Sequence, residues 1–531
     1  MKLFKKPDFY RFILLIFVFT AFFCCSVHYL NAAVNYDQQI PLKLMCILFA
    51  VSVLIMMDVK MWFHVFTLIF LPICFFATKI LYEKHILADF CNYTEVDVLR
   101  LNKINILLWG IVIIAVLRDF IKNKGYRKFT GKNKFLMILW AVYAIWITAS
   151  QQTRYAYVLL FSVGFTGFYY VSVHPERKRL FFKAFIYGII LSSFYVMYKS
   201  LCFRPYDTER YNGYFSNSNR AGFYYSTVFL ALFSRIHAWW NAKAKKSVKI
   251  PILILLFLYT GFLGCINIFN YTRTTLFGLL FSFAILFVLE LIRGKGKRGS
   301  ILLKYALTLA SMVLLFNATY AAIRYIPAKV DNPHFFMWEC NEEYSVLKGD
   351  PIDSPKYTSK TQFLRVVLGK WGIYIKVDDV EANEFELEHG NDGVTYDKDR
   401  DVTNGRTEIW KEYLPRMRFL GHDPAHLTLE DGEIMYHAHN TYFQTAYQFG
   451  IPAGIMLLVL VVSCFFLAGK QIIKKEDSYE RIFSFLIIGT CLIGFLTEWF
   501  GHFGYPLCMA LHVAFGYIFH DSQKEQKEGE A

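Results

Sequence analysis

The chain lacks the cysteine patterns that would staple a small secreted domain or build a cysteine metal site. Its 11 cysteines mostly fall within apolar runs, where a thiol packs as a small apolar side chain. Their spacing forms neither a disulfide framework nor a cysteine-based metal motif. No internal repeat is visible, and the only low-complexity stretch is the charged tail from Asp521.

Ionisable residues are also scarce inside the apolar runs. Arg118, Glu290 and Glu498 fall near the ends of such runs. A side chain in that position can extend toward water, so all three are expected to be interfacial. A transporter usually carries ionisable groups or broken helices within its membrane spans, and their scarcity here argues against that class.

Apolar residues are abundant instead: 55% of the 531 residues are hydrophobic and 18% are aromatic. These hydrophobic and aromatic fractions are higher than those of soluble proteins and predict an all-α polytopic membrane protein. Runs of about 17–22 residues are long enough to cross a bilayer as helices. Fourteen transmembrane helices are predicted, at 10–30, 41–57, 61–79, 104–121, 135–150, 155–173, 180–200, 221–236, 250–268, 274–293, 301–323, 451–468, 482–498 and 505–519.

The Lys and Arg residues predict the orientation of these spans. If the N-terminus is cytoplasmic, every basic cluster falls on the cytoplasmic side, as the positive-inside rule requires. Both termini are therefore expected in the cytoplasm, and the net charge of +15 needs no nucleic-acid partner. The clusters lie at 118–134, 177–179, 243–249, 293–298 and 470–481.

One long polar segment, 324–439, has the opposite charge bias. It holds 22 of the 42 Asp and Glu residues of the chain, against 14 Lys and Arg. An acidic extracytoplasmic domain is the simplest account of this bias. The predicted division is helices 1–11 in 1–323, this domain, helices 12–14 in 440–519, and a cytoplasmic tail at 520–531.

A histidine pair closes the polar segment, shortly before the apolar run that begins at Ile451. His437 and His439 alternate, so they share one face if the chain is extended. A neutral histidine at the membrane surface can take a proton from a hydroxyl group near pH 7, and the adjacent Asn440 amide could hold the His439 ring. Two other readings stay open. The pair could be ordinary interface residues, or it could form a zinc site with His422 and His426.

Three arginines are candidates for anion binding. Arg220 and Arg273 open apolar runs on the predicted outer side. A guanidinium group suits bidentate binding of pyrophosphate, although an arginine at this place can equally anchor to lipid headgroups. Arg406 occupies a predicted helix start, where it could orient the external domain.

A calcium site is the remaining metal hypothesis. Asp397, Asp399, Asp401 and Glu408 stand at positions 1, 3, 5 and 12 of a loop of EF-hand type. The sharp turn of such a loop needs Gly at position 6, where this chain has Val402. A solvated acidic turn is the preferred interpretation.

Taken together, these segments resemble the O-antigen ligase and O-antigen polymerase superfamily. The specific part is His437 to Gln444 followed by Gly450-Ile451-Pro452-Ala453-Gly454, and further matches are 213–219, Thr272-Arg273, 405–410 and Gly421. The sequence departs from the family pattern at Gln448, where an acidic residue is common, so no carboxylate partner is assigned to the histidine.

The resemblance implies a glycosyltransferase of cell-surface polysaccharide assembly. It would transfer or polymerise glycan from an undecaprenyl-diphosphate donor onto an acceptor hydroxyl at the outer face of the cytoplasmic membrane, without metal or other cofactor. His439 and His437 would be catalytic. The substrate-binding residues would be Arg220, Arg273, Arg406 and Asn440. Its partners would be the lipid-linked glycan, a glycan or lipid acceptor and membrane lipids.

Two other classes remain open. A lipid-linked oligosaccharide flippase or other polysaccharide transporter would also have many spans, and a sensor or scaffold could bind glycan without turnover. Loss of glycan product on substitution of the histidine pair, with normal protein level, would separate an enzyme from a scaffold. The choice between ligase and polymerase, the sugar and the acceptor are not encoded in any motif of the chain.

Overall fold

The fold is taken from a computed structural model of the full chain. It describes residues 6–31, 35–58, 68–69, 71–73, 76, 96–122, 132–150, 175–203, 206, 210–294, 296–329, 358–369, 405–422, 426–429, 432, 434–474, 478–501 and 504–521. Helices dominate these residues.

The first nine helices form most of the bundle. They are α1 (Lys6–Asn31), α2 (Asn35–Met56), α3 (Val96–Lys122), α4 (Lys132–Ser150), α5 (Pro175–Phe203), α6 (Ser218–Trp240), α7 (Lys246–Asn270), α8 (Arg273–Arg293) and α9 (Arg298–Lys329).

The rest of the chain adds short elements and then three long helices. The short elements are α10 (Lys360–Gly369), α11 (Arg406–Tyr413), a 3-10 turn at Leu414–Arg416 and an antiparallel pair of two-residue strands, β1 (Leu427–Thr428) and β2 (Ile434–Met435). After them come α12 (Thr441–Phe449), α13 (Ile451–Lys474), α14 (Tyr479–Thr497) and α15 (Pro506–Asp521).

The prediction of a multi-pass α-helical membrane protein is confirmed. Within the described residues, 8 helices are long and apolar enough to span a membrane, namely α1, α3, α5, α7, α8, α9, α13 and α14. Helices α2, α4 and α15 carry shorter apolar stretches at three further predicted positions, and α6 covers the predicted run 221–236. The predicted runs 61–79 and 155–173 fall mostly or wholly outside the described residues, so the number fourteen stays a prediction.

Helix α6 lies at the centre of the bundle. Every residue from Ala221 to His237 is buried, and the helix packs against α5, α7, α8, α14 and α15. Its first turn is capped by Asn217, whose side chain accepts hydrogen bonds from the backbone N–H groups of Asn219 and Arg220. Gly222 lets the turn between α7 and α8 approach closely, because a Cβ there would lie 2.7 Å from Asn270 Oδ1.

The described parts of the polar segment pack onto the bundle. Helix α9 extends into this segment as far as Lys329. In α10, Phe363 is buried and contacts the rings of Tyr206 and Phe269, and the Tyr320 hydroxyl donates to the Thr358 carbonyl at 2.9 Å. Residues 330–357 and 370–404, including the Asp397 loop, lie outside the described residues.

One span-end residue that the sequence assigned to the interface is buried instead. Glu290 is 4% exposed, and both of its carboxylate oxygens lie 2.8 Å from Lys304 Nζ. His237 Nδ1 approaches the same carboxylate at 2.9 Å. The expectation that Glu290 extends toward water is wrong, because a buried cation of the neighbouring helix α9 pairs with it.

Candidate active site around Glu498

Glu498, like Glu290, was expected at the membrane interface but is buried. Four hydrogen-bond donors converge on its carboxylate. It directly follows α14 and is 4% exposed. Oε1 accepts from His439 Nδ1 at 3.0 Å and from the Trp499 backbone N–H at 3.1 Å. Oε2 accepts from Asn219 Nδ2 at 2.8 Å and from the Arg406 guanidinium at 3.3 Å. The carboxylate is therefore an internal anchor, and the interfacial expectation is wrong for this residue too.

Neighbouring contacts bring the end of α14 to the start of α12. Asn440 caps α12 by accepting from the Phe443 N–H at 3.0 Å, and its amide donates to the Leu496 carbonyl at 3.0 Å. The Thr441 hydroxyl donates to the Glu498 carbonyl at 2.7 Å. These bonds fix the chain on both sides of the contact between His439 and Glu498, although the two residues are 59 positions apart.

The histidine pair lies directly before this cap. The rings of His437 and His439 have centroids 4.1 Å apart, at an interplanar angle of 67°. Ala438 between them is held by its N–H, which donates to Gln444 Oε1 at 2.8 Å, and by its carbonyl, which accepts from Trp410 Nε1 at 2.8 Å. The rings thus meet on a short, well-anchored piece of chain.

The backbone at His439 is strained. Its φ angle is +46°, in the left-handed region that non-glycine residues seldom occupy. Such strain is stable only where surrounding contacts impose it, and it is concentrated at functional sites. Here the imposing contacts are the Asn440 cap and the hydrogen bond from His439 to Glu498.

The pKa values of Glu498 and His437 are both lowered, which leaves the carboxylate charged and the imidazole neutral. Burial raises the pKa of Glu498, but the hydrogen bond and charge of His439, followed by the charge of Arg406, outweigh burial, so its pKa lies below the usual range. Burial lowers the pKa of His437 to about 4, and repulsion from a charged His439 acts in the same direction. At neutral pH Glu498 is an anion and His437 is neutral.

Two of the three candidate arginines lie close to this centre. Arg406 bonds Glu498. Burial lowers the pKa of Arg406, the charge of Glu498 partly opposes this, and the positive charge of Arg273 adds a smaller lowering. Arg273 is the first residue of α8. The adjacent Thr274 hydroxyl accepts from the Thr497 hydroxyl, at 3.1 Å, next to Glu498. Arg406 thus bonds the buried anion directly, and Arg273 lies near enough to Arg406 for their charges to interact.

Arg220 points to a different part of the same region. It lies in the first turn of α6, next to the Asn219 that bonds Glu498. Its guanidinium donates to the Leu30 carbonyl and hydrogen-bonds the Tyr505 side chain. The structure therefore places Arg220 one step further from the carboxylate than Arg406.

The structure corrects the expected partner of the His439 ring. The Asn440 side chain does not hold the His439 ring, because it is used in the helix cap and in the bond to Leu496. Glu498 holds the ring instead. The one available signal was an acidic residue at the outer end of the predicted run 482–498, and pairing it with a histidine required the tertiary fold.

Two glycines of the family-like pattern have a structural explanation. Gly421 and Gly450 have φ angles of +84° and +100°. A Cβ on Gly421 would lie 2.3 Å from the Gln448 carbonyl oxygen, and one on Gly450 would lie 2.0 Å from that of Phe419. Both positions therefore require glycine to pack the turn between α12 and α13 against the chain leaving the 3-10 turn.

The four-histidine zinc hypothesis is not supported by the geometry. His422 stacks on Tyr447 with ring centroids 4.2 Å apart, and within the described part of the chain the group with metal-ligand spacing is His437, His439 and Glu498. The candidate ligand atoms of that group lie within 4.8 Å of one another. Arg406 already occupies the carboxylate, and a second cation at this place would be repelled by it.

Comparisons with protein-family models, with curated proteins and with solved structures found no match to this chain. Its function must therefore be inferred from the chemistry of the site.

Proposed function

We propose that this protein is a metal-independent membrane glycosyltransferase of the O-antigen ligase and polymerase type. It would move a glycan from an undecaprenyl-diphosphate donor onto an acceptor hydroxyl during assembly of a cell-surface polysaccharide. The observation that carries the proposal is the bond between His439 and the buried anion Glu498, which Arg406 also bonds, with the charge of Arg273 acting on Arg406.

The histidine and carboxylate have the arrangement of an oriented general base. An ionised carboxylate accepts only, so Nδ1 of His439 carries the proton and Nε2 keeps a lone pair. Among the described residues, that Nε2 has no hydrogen-bond partner, and the side chain is 34% exposed. A histidine oriented in this way can take a proton from a hydroxyl group, and the carboxylate stabilises the cation that forms.

The arginines suit the leaving group. As the acceptor oxygen forms its bond to the anomeric carbon, the bond from that carbon to the diphosphate breaks and the electron pair leaves with the diphosphate. The acceptor proton goes to His439 Nε2. Arg406 and Arg273 can balance the negative charge that grows on the diphosphate, which is the task a metal ion performs in other enzymes.

The place of the site in the bundle fits a lipid-held donor. Arg273 begins α8 and Arg293 ends this helix of 21 residues, so the two ends are about 30 Å apart, close to the thickness of a hydrocarbon core. The basic cluster at 293–298 favours the cytoplasm for the Arg293 end of α8. The candidate site would then open at the outer surface, where a lipid diphosphate resides, and 324–439 would be extracytoplasmic.

The test is replacement of the base without loss of the fold. Asparagine tolerates a φ of +46° better than alanine does, so His439→Asn should keep the local backbone. We expect transfer by the purified variant to fall by roughly 10²–10⁴, with unchanged thermal unfolding in detergent and accumulation of lipid-linked donor in cells. Wild-type turnover by a folded His439→Asn protein would refute the assignment.

A transporter of lipid-linked oligosaccharide is the alternative that one observation favours. The ion pair of Glu290 with Lys304 is buried, which removes part of the sequence argument against a transporter. The two functions separate in proteoliposomes that contain labelled lipid-linked glycan. A flippase moves the lipid between leaflets without consuming it and tolerates His439→Asn, whereas the proposed enzyme releases undecaprenyl diphosphate and does not.

A further inference from the structure

The two histidines of the site are held through the same ring atom by partners of opposite kind. His439 Nδ1 lies 3.0 Å from Glu498 Oε1. His437 Nδ1 lies 3.4 Å from the backbone nitrogen of His439. The first partner is a carboxylate anion and the second is a peptide N–H group.

These partners dictate the tautomer of each neutral ring. A carboxylate anion can only accept, so His439 carries its proton on Nδ1. A peptide N–H can only donate, so His437 must offer the lone pair of Nδ1 and carry its proton on Nε2. The two rings therefore have opposite hydrogen-bonding roles at Nε2: that of His439 accepts and that of His437 donates.

The surroundings keep His437 neutral. The ionisable groups that act on it are His439, Glu498 and Arg406, and together with burial they lower its pKa to about 4. Burial is the largest cause; the charge of Arg406, and that of His439 when it is protonated, act in the same direction, and only Glu498 opposes them. Within the part of the chain that the structure describes, no residue accepts a hydrogen bond from its Nε2.

We propose that His437 is a catalytic hydrogen-bond donor of fixed tautomer, while His439 alone is the base. This inference rests on the proposed glycosyl transfer. The His437 Nε2–H group would donate to a departing diphosphate oxygen on the side of the site where Arg406 also stands. The proton stays on His437, the acceptor proton goes to His439, and the diphosphate leaves with the electron pair of the broken bond.

The proposal assigns His437 a role that differs from a second base. A neutral imidazole that donates from Nε2 is suited to an oxygen on which negative charge develops, because it adds a fixed dipole without needing protonation. Removal of one such donor typically lowers kcat by about 10²–10³. A second base would instead need a free lone pair on Nε2, and the backbone contact at Nδ1 prevents this.

Glutamine substitution separates the two roles, because a glutamine amide can donate from a position near Nε2 but cannot act as a base. We expect His437→Gln to retain most of the activity that His437→Ala loses, and His439→Gln to be as inactive as His439→Asn. If His437→Gln is as inactive as His437→Ala while folded, the donor role is wrong.

A readout without turnover keeps this inference distinct from the proposed function. Nitrogen NMR of histidine-labelled protein in lipid at neutral pH should show one ring of the pair protonated on Nε2 and the other on Nδ1, assigned by the spectra of His437→Gln and His439→Gln. Two rings of the same tautomer would overturn the inference even if the protein transfers glycan. Opposite tautomers in a protein that transfers no glycan would support the assignment of the rings and refute the transferase and with it the catalytic role of His437.

Discussion

Replacement of Glu498 by glutamine is the sharpest perturbation that the site offers. The side chains are nearly the same size, so packing is kept and only the charge and one acceptor are lost. The carboxylate receives four donors: His439 Nδ1 and the Trp499 N–H on one oxygen, and Asn219 Nδ2 and Arg406 on the other. A glutamine amide has one acceptor oxygen, so its NH₂ group must face two of these donors.

Both orientations of the amide damage the base. If NH₂ faces His439, the ring can be satisfied only by accepting at Nδ1, which moves its proton to Nε2 and removes the lone pair that takes the acceptor proton. If NH₂ faces Arg406, that guanidinium loses its partner and the ring loses its counter-ion. By analogy with other histidines whose carboxylate becomes an amide, the loss in kcat should be about 10²–10⁴. This equals roughly 3–5 kcal/mol of transition-state stabilisation.

The assay is turnover of lipid-linked donor by purified protein at saturating donor and acceptor, so that kcat and KM are separated. Glu480→Gln is the matched control, because Glu480 is also buried, at 5% exposure, and lies at the opposite end of α14. It should leave kcat unchanged. Wild-type kcat for a folded Glu498→Gln protein would show that the carboxylate does not orient the base.

Three further outcomes are expected. Arg406→Lys and Arg273→Lys should each lower kcat and cause lipid-linked donor to accumulate, since a point charge does not replace a bidentate guanidinium; full activity in both variants would mean that they do not bind the diphosphate. Activity should survive EDTA, because Arg406 already neutralises the carboxylate of the candidate ligand group; loss that zinc or calcium restores would contradict this. The pKa of Glu498 is lower in the folded protein than in the unfolded chain, because His439 and Arg406 outweigh burial. The ionised Glu498 therefore stabilises the fold above the unfolded glutamate pKa, and this stabilisation is lost as pH falls through the folded pKa. The difference in melting temperature between wild type and Glu498→Gln should therefore shrink as pH is lowered below the ordinary glutamate range, and a constant difference down to strongly acidic pH would contradict this origin.

Much of the architecture was predictable because the bilayer imposes a simple length rule. An apolar run of about 20 residues must form a helix to satisfy its backbone in lipid. Eight long helices therefore lie where runs were predicted, including α8 and α13. The alternation of His437 and His439 predicted a shared face for an extended chain; the rings do lie together, with centroids 4.1 Å apart, but His439 has a φ angle of +46° and is not extended.

The sequence alone determined the class of protein and the places of the described spans, because both depend on composition along the chain; it also singled out the histidine pair as a candidate site, which stays a prediction. Only the tertiary structure decided how the site is connected. Glu498 is 59 residues from His439, 92 from Arg406 and 279 from Asn219, and no local pattern links positions so far apart. The partner of the His439 ring is likewise a distant residue, whereas the partner of the His437 ring is the backbone N–H two residues further on, placed by the left-handed conformation of His439.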